Sequence, residues 1–220
     1  VIFIKIKTTH KRINKIRKSL LLWYDINKRQ LPWRLEPISP YAVWLSEVML
    51  QQTTVATVGP YFGNFMARWP NVKALAGAPL DDVLHAWQGL GYYARARNLH
   101  KCATAVAGRP AGKFPDTEAG LLELPGIGPY TAAAIAAIAF DQPAMPVDGN
   151  IERVTARLFG ITTPLPKSKP EIAAAARIFA ATERPGDFAQ AMMDLGAGVC
   201  TPTRPDCGAC PIRENCLAQA

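Results

Sequence analysis

Four of the chain's five cysteines, Cys200, Cys207, Cys210 and Cys216, crowd together near its end with the spacing C-x6-C-x2-C-x5-C. Thiolates this close in an intracellular chain are metal ligands far more often than disulfides. Four cysteines satisfy a tetrahedral zinc site. Zinc ribbons usually show two separated C-x2-C knuckles, however, and only one pair here has that spacing, so iron-sulfur ligation competes with zinc and spacing alone leaves both open. Cys102, in NLHKCATAV, stands outside the set and reads as an ordinary buried or half-buried thiol.

Two carboxylates could do acid-base work. Glu47 lies in YAVWLSEVMLQQT, where its helical neighbours Val43, Trp44, Leu50 and Gln51 are apolar or uncharged. A carboxyl so placed is partly desolvated, which raises its pKa and lets it hold a proton near neutral pH. Asp148, in MPVDGNIERV, follows an apolar stretch and precedes Gly149 and a new helix; it fits a catalytic carboxylate and equally a helix cap or Asx turn, with Asn150 a rival cap.

Two further stretches could hold a nucleic acid. In LPGIGPYTAAAIAAIAF, Gly126 and Gly128 bracket one apolar residue and Pro129 suits the first turn of the next helix, so unpaired backbone N–H groups would face a phosphate. The same pattern also fits a plain helix-helix turn. WQGLGYYARARNLHKCA sets Tyr92 and Tyr93 after a glycine turn, with Leu90 in that turn and Arg95 and Arg97 just beyond; rings beside guanidiniums suit stacking on bases and pairing with phosphates. They suit equally a helix with its rings in the core and its arginines in water. LPWR (31–34) and the polar pair Gln51-Gln52 leave the same choice open.

The elements that must position these residues read as helices. Apolar residues at helical spacing mark an amphipathic helix from about Asn14 that ends before Leu31, and helical patterns recur at 41–57, 60–68, 80–88, 92–107, 117–123, 129–140, 150–158, 169–182 and 186–197. Short Pro/Gly turns separate them and no alternating β-branched run intervenes, so the expectation is an all-α chain of about ten helices, with the Ala-rich 131–140 segment central and buried.

With 220 residues and 49% hydrophobic content, the chain can bury a core without disulfides. No apolar run approaches the roughly 18 residues of a membrane span, so a soluble cytoplasmic protein without a membrane partner is expected. The net charge of +8 points to an acidic partner, but residues 1–30 hold nine of the 25 Lys and Arg against Asp25 alone, which leaves the rest of the chain formally neutral. Residues 1–13 read as a basic arm. Any grip of the body on nucleic acid must therefore come from local geometry.

Taken in order from about residue 15 to the end, LPWR, SEVMLQQT, GLGYYARARNLH, LPGIGPYTA, VDGN, DLGAGVC and the cysteine array resemble the catalytic domain of the MutY-type adenine DNA glycosylases, within the helix-hairpin-helix superfamily that includes endonuclease III. The resemblance implies a six-helix barrel module (37–145, with its hairpin at 124–130) and an iron-sulfur cluster module (14–36 and 146–220), with the active-site cleft between them. It makes Cys200, Cys207, Cys210 and Cys216 ligands of a 4Fe-4S cluster. It assigns Glu47 as the acid that protonates adenine at N7, Asp148 as the carboxylate facing the oxocarbenium-like sugar, and Asn150 as its positioning partner. Tyr130 falls where lyase-competent relatives carry a lysine, which implies a monofunctional enzyme.

By the same resemblance Leu31, Trp33 and Arg34 are adenine-pocket residues. Tyr92 is a ring wedged beside the opposite 8-oxoguanine, and Gln51, Gln52 and Thr53 contact the displaced pair. The partner is double-stranded DNA with A:8-oxoguanine or A:G mispairs, met by a monomer, nucleoid-associated if bacterial. By the resemblance, full-length members carry a NUDIX-like domain after the cluster, and the expectation for residues 1–220 is the catalytic domain without it. The nearest rivals are a thymine (G:T) mismatch glycosylase and an endonuclease III-like lyase of the same superfamily; a noncatalytic DNA-binding module with the cluster as sensor is a third reading.

Overall fold

The computed structural model describes residues 10–180 and 183–219. Among them there are eleven α-helices, three short 3-10 turns and no strand. The chain divides into two compact units, one of Val1–Arg29 with Val147–Ala220, the other of Gln30–Pro146. No helix among the described residues is long and apolar enough to cross a membrane.

The central unit holds α2 (Pro40–Leu50), α3 (Val55–Arg68), α4 (Val72–Ala76), α5 (Leu80–Ala86), α6 (Ala94–Ala107), α7 (Glu118–Leu122) and α8 (Pro129–Phe140). Ser39 starts α2 by accepting the Ala42 amide, with Pro40 in the first turn, where its missing N–H costs nothing. Every residue from Tyr41 to Met49 is buried, and α8 is buried without a break from Thr131 to Ile138. These two helices pack on one another, and the alanines of α8 let the backbones approach closely. Helices apolar on all sides have no water-facing stripe. A polar side chain placed on either is desolvated by position alone.

The other unit holds α1 (His10–Asn27), α9 (Gly149–Phe159), α10 (Lys169–Arg177) and α11 (Pro185–Gly198). Helix α11 packs on α1 and α9, and α10 on α9, around Phe179, which stacks on Phe188 at 5.2 Å and tilts against Phe159 at 6.0 Å. Arg29 at the end of α1 is tied in by Asp194 of α11, whose carboxylate accepts from the Arg29 Nε at 2.7 Å and its amide at 3.0 Å.

Several boundaries differ from those the periodicity predicts. The expected 41–57 helix breaks after Leu50, because Gln52 turns into the left-handed region (φ 57°) and Thr54 caps a new helix by accepting the Thr57 amide. That helix then runs through Pro60, which stands inside it and not at its start. Helix α4, five residues long, is too short to show a period. Helix α1 begins at His10, inside the expected arm, and residues 1–9 of that arm lie outside the described residues. Residues 30–36 belong to the central unit, where Trp33 meets Phe62 edge-on at 5.7 Å.

Candidate functional site

Glu47 is buried to 7% exposure in the middle of α2, as its apolar neighbours predict. The next residues end the helix and start a turn: Gln51 donates from Nε2 to the Thr131 hydroxyl on α8 at 3.4 Å, and the Thr53 hydroxyl donates to the Gln51 carbonyl at 3.2 Å. Thr131 follows Tyr130, half-buried in the first turn of α8. The helix of Glu47 and the hairpin's helix are therefore joined by a side-chain bond as well as by packing.

The hairpin itself takes its shape from glycine. Gly126 has φ 76°, and a Cβ there would lie 2.7 Å from the Asn98 Cβ on α6. Gly128 caps α8 with no side chain, while Gly126, Gly128 and Pro129 are exposed and Ile127 is anchored in the core at 6%. The exposed glycine hairpin thus leads directly into the N-terminus of α8, and helix N-termini are where phosphates are commonly held.

Tyr92 is 67% exposed and has φ 48°, a conformation that side chains beyond Cβ seldom adopt. Gln52 is also exposed with positive φ. Strain of this kind persists where surrounding structure over-determines it, and it gathers at functional sites. Tyr93 and Arg97 are exposed beside Tyr92. Leu90 offers no exposed side chain, contrary to the expectation of a DNA-contacting residue: it is buried to 5% exposure while its backbone forms the turn. Arg95 also departs from the expected phosphate role. Its guanidinium turns inward onto the carbonyls of Val48, Met49 and Leu90, and burial pushes its pKa below the ordinary range. In the LPWR turn, Trp33 is buried to 8% while Leu31 and Arg34 are half-buried, the Arg34 amide donating to the Leu31 carbonyl at 3.0 Å.

In the other unit Asp148 is the N-cap of α9 and is half-buried. Its Oδ1 accepts the Ile151 amide at 2.7 Å and its Oδ2 accepts from Asn150 Nδ2 at 2.8 Å. Capping fixes the carboxylate; it does not compete with a chemical role. Arg153, three residues after Asn150, donates to Asn150 Oδ1 (2.9 Å), to the Gly196 carbonyl (2.7 Å) and to the Cys200 carbonyl (2.8 Å). Arg157, a turn further, reaches the Cys200 thiol at 3.3 Å and the Thr201 and Pro202 carbonyls at 2.8 and 2.9 Å. The sequence reading did not single out Arg153, Arg157 or Gly196. The i, i+3 spacing of Asn150 and Arg153 on one helix face was the signal for the first.

Cys200, Cys207, Cys210 and Cys216 all line one cavity of about 160 Å³, together with Arg157, Arg213 and Val199. None is in a disulfide. Burial pushes the Cys210 thiol up, and the charges of Cys200, Cys216 and Cys207 add to the shift. Among the described residues no group of three or more His, Cys, Asp or Glu side chains is gathered as the donors of a metal ion. Cys102 is buried, its pKa pushed up to about 12 by desolvation, and takes no part in this loop.

Two cations of α1 turn into the fold and a third is paired at the surface. Arg12 donates to the Leu158 and Asn215 carbonyls, Arg17 to that of Ile178, and Lys15 pairs with Glu214 at 2.6 Å. Lys11, Lys18 and Lys28 remain exposed.

A chain of this description, helical throughout, with a glycine hairpin feeding a helix and a cysteine loop after the last helix, has the parts of a DNA repair glycosylase. Residues 45–181 match the family described as HhH-GPD superfamily base excision DNA repair protein, and the chain belongs to that superfamily. It is 46% identical over 216 residues to adenine DNA glycosylase of Rattus norvegicus, covering 94% of this chain and 42% of that protein. It is 42% identical over 203 residues to adenine DNA glycosylase of Buchnera aphidicola subsp. Acyrthosiphon pisum, covering 91% and 58%. The chain thus spans about two fifths to three fifths of the length of such curated relatives. Among solved structures, a thermostable thymine-DNA glycosylase superposes with a TM-score of 0.83 at 26% identity, covering 95% of this chain and 97% of that one. A non-covalent endonuclease III–DNA complex shares the fold, with a TM-score of 0.76 at 24% identity over 96% of each chain.

Proposed function

We propose that this chain is the catalytic part of a monofunctional adenine DNA glycosylase, which hydrolyses the N-glycosidic bond of adenine mispaired with 8-oxoguanine or guanine in double-stranded DNA. The observation that carries the reading is the burial of Glu47 on a helix whose every side is apolar, in a chain whose curated relatives bear the name adenine DNA glycosylase.

The chemistry follows from the two carboxyls. Adenine inside a duplex is out of reach, so the nucleotide must be turned out of the stack at a cost of about a few kcal/mol. Desolvation favours the neutral form of a carboxyl, so Glu47 can hold a proton and deliver it to N7, which turns adenine into a neutral leaving group. Loss of the base leaves a cationic sugar. The carboxylate of Asp148, whose oxygens are fixed by the Ile151 amide and Asn150, stabilises that cation until water attacks. Tyr130, where a lyase would need an amine, provides no imine chemistry. Leu31, Trp33 and Arg34 border the adenine pocket. Tyr92, Gln51, Gln52 and Thr53 meet the opposite base and the vacated stack, and Gly126, Gly128 and Arg97 meet the phosphates.

The cysteine loop fits a 4Fe-4S cluster. Four soft donors line one cavity of about 160 Å³, and only one pair among them has the C-x2-C spacing that zinc ribbons use twice. Bound there, the cluster supplies cross-linking of the loop, while the chain's own Arg153 and Arg157 hold that loop to α9.

Single-turnover assays on duplexes carrying A opposite 8-oxoguanine, A opposite G, and T opposite G test the reading. Adenine release from the first two is expected. Thymine release without adenine release would favour the thymine mismatch enzyme, the alternative suggested by the fold of the thymine-DNA glycosylase.

A further inference from the structure

Arg95 lies on α6, but its guanidinium is committed to two other segments. Nη1 donates to the carbonyls of Val48 (3.1 Å) and Met49 (3.0 Å), in the last turn of α2, where carbonyls have no partner within the helix. Nη2 donates to the Leu90 carbonyl at 2.8 Å and reaches the Gly91 carbonyl and the Thr53 hydroxyl at 3.4 Å. The plane of the fork sits near the rings of Trp87 (5.3 Å) and Tyr92 (5.8 Å). One side chain therefore touches the helix of Glu47, the 51–53 turn and the 88–92 loop.

Each of the two loops it joins carries an exposed, left-handed, non-glycine residue, Gln52 at φ 57° and Tyr92 at φ 48°. The second loop is braced from elsewhere as well. The Tyr61 hydroxyl donates to the Gln88 carbonyl at 2.8 Å, and a Cβ on Gly89 (φ 103°) would stand 2.1 Å from the Tyr61 hydroxyl oxygen. Trp87 Nε1 donates to the Gly91 carbonyl at 3.0 Å. Arg95 alone among these braces reaches both loops and the end of α2.

We propose that Arg95 is a positioning residue that makes the Tyr92 loop, the Gln52 turn and the helix of Glu47 move as one, so that the base met by Tyr92 bears on the setting of the acid. Glu47 is the residue immediately before Val48, and a shift of the Val48 and Met49 carbonyls turns it within α2. A planar fork with donors at fixed angles can span two carbonyl pairs; an ammonium of the same charge cannot. The coupling rests on these contacts, and its catalytic meaning rests on the adenine-excision reading above.

Amide hydrogen exchange on the full chain separates the two, since it reads loop opening without any reaction. Arg95→Lys should speed exchange in 51–54 and 88–93 together, with α9 and α11 unchanged as the measure that the chain is folded. Tyr61→Phe, which removes only a hydroxyl from the brace on 88–91, should also speed exchange at 51–54, because Arg95 passes the disturbance on. Exchange that rises in one segment alone in both variants would overturn the coupling. In single turnover, Arg95→Lys should lower the preference for A opposite 8-oxoguanine over A opposite G by about fivefold or more, and Tyr92→Ala combined with it should fall well short of the product of the two effects. Independent, multiplicative effects would also overturn it. A wild-type chain that released no adenine would remove the enzymatic reading while leaving the exchange result to decide the coupling.

Discussion

Asn150 donates to Asp148 Oδ2 at 2.8 Å while its own carbonyl oxygen accepts from Arg153 at 2.9 Å, so one amide side chain stands between the carboxylate and an arginine that also grips Cys200. The amide's orientation is fixed by this arrangement: its nitrogen must face Asp148 and its oxygen Arg153. Arg153→Met should leave Asn150 free to turn and should lower the single-turnover excision rate by about 10- to 100-fold, the usual effect of removing a residue that orients a functional group. An unchanged rate with an unchanged pH profile would mean that the bond network holds the fold only.

Gly196 carries a related prediction. A Cβ at this position would meet the Asn150 Cβ at 2.6 Å and its Cα at 3.1 Å, and the second of these is backbone that cannot rotate away. Gly196→Ala should therefore push the start of α9 off α11 and displace Asp148 with it. The expected cost is about 1 to 3 kcal/mol of stability, typical of forcing volume into a packed contact, with a larger proportional loss of activity than of folded protein. Thermal unfolding and excision measured on the same preparation would show whether the two losses separate.

Glu47→Gln keeps shape and burial and removes only the dissociable proton. Base release should fall below detection while affinity for duplex containing A opposite 8-oxoguanine is largely kept, because the substitution leaves the proposed phosphate contacts at the hairpin and Arg97 in place. A Gln variant with substantial activity would remove Glu47 from the role of acid.

Much of this site was visible in the residues before any coordinates. Glu47 declared its burial through neighbours that are apolar on every side of the helix, and Gly126 and Gly128 declared a hairpin through their spacing from Pro129. What the sequence could not show were side chains whose partners are distant in the chain. Arg95 looks like a phosphate ligand beside two tyrosines, and only the fold places Val48 and Met49 under its fork, 47 and 46 residues away. Gly196 has no signature at all, since its demand for a missing Cβ is set by Asn150 on another helix. The break of 41–57 into two helices was missed for a local reason: QQTT interrupts an apolar pattern too briefly to disturb its period, while Thr54 quietly caps the next helix.

The cysteine loop gives the last prediction, and it concerns the metal and the carboxylate together. Preparations handled without oxygen should be brown, with roughly four iron and four sulfide per chain. Removing the iron should loosen residues 200–216, seen as new proteolytic cleavage there, while the helical signal persists, because α1, α9, α10 and α11 are held by their own core. The Cys200 carbonyl would then no longer be fixed for Arg153 and Arg157, so the excision rate should fall along with DNA affinity and not affinity alone. A colourless, zinc-containing preparation that still excised adenine at full rate would show that the four thiolates serve a different metal.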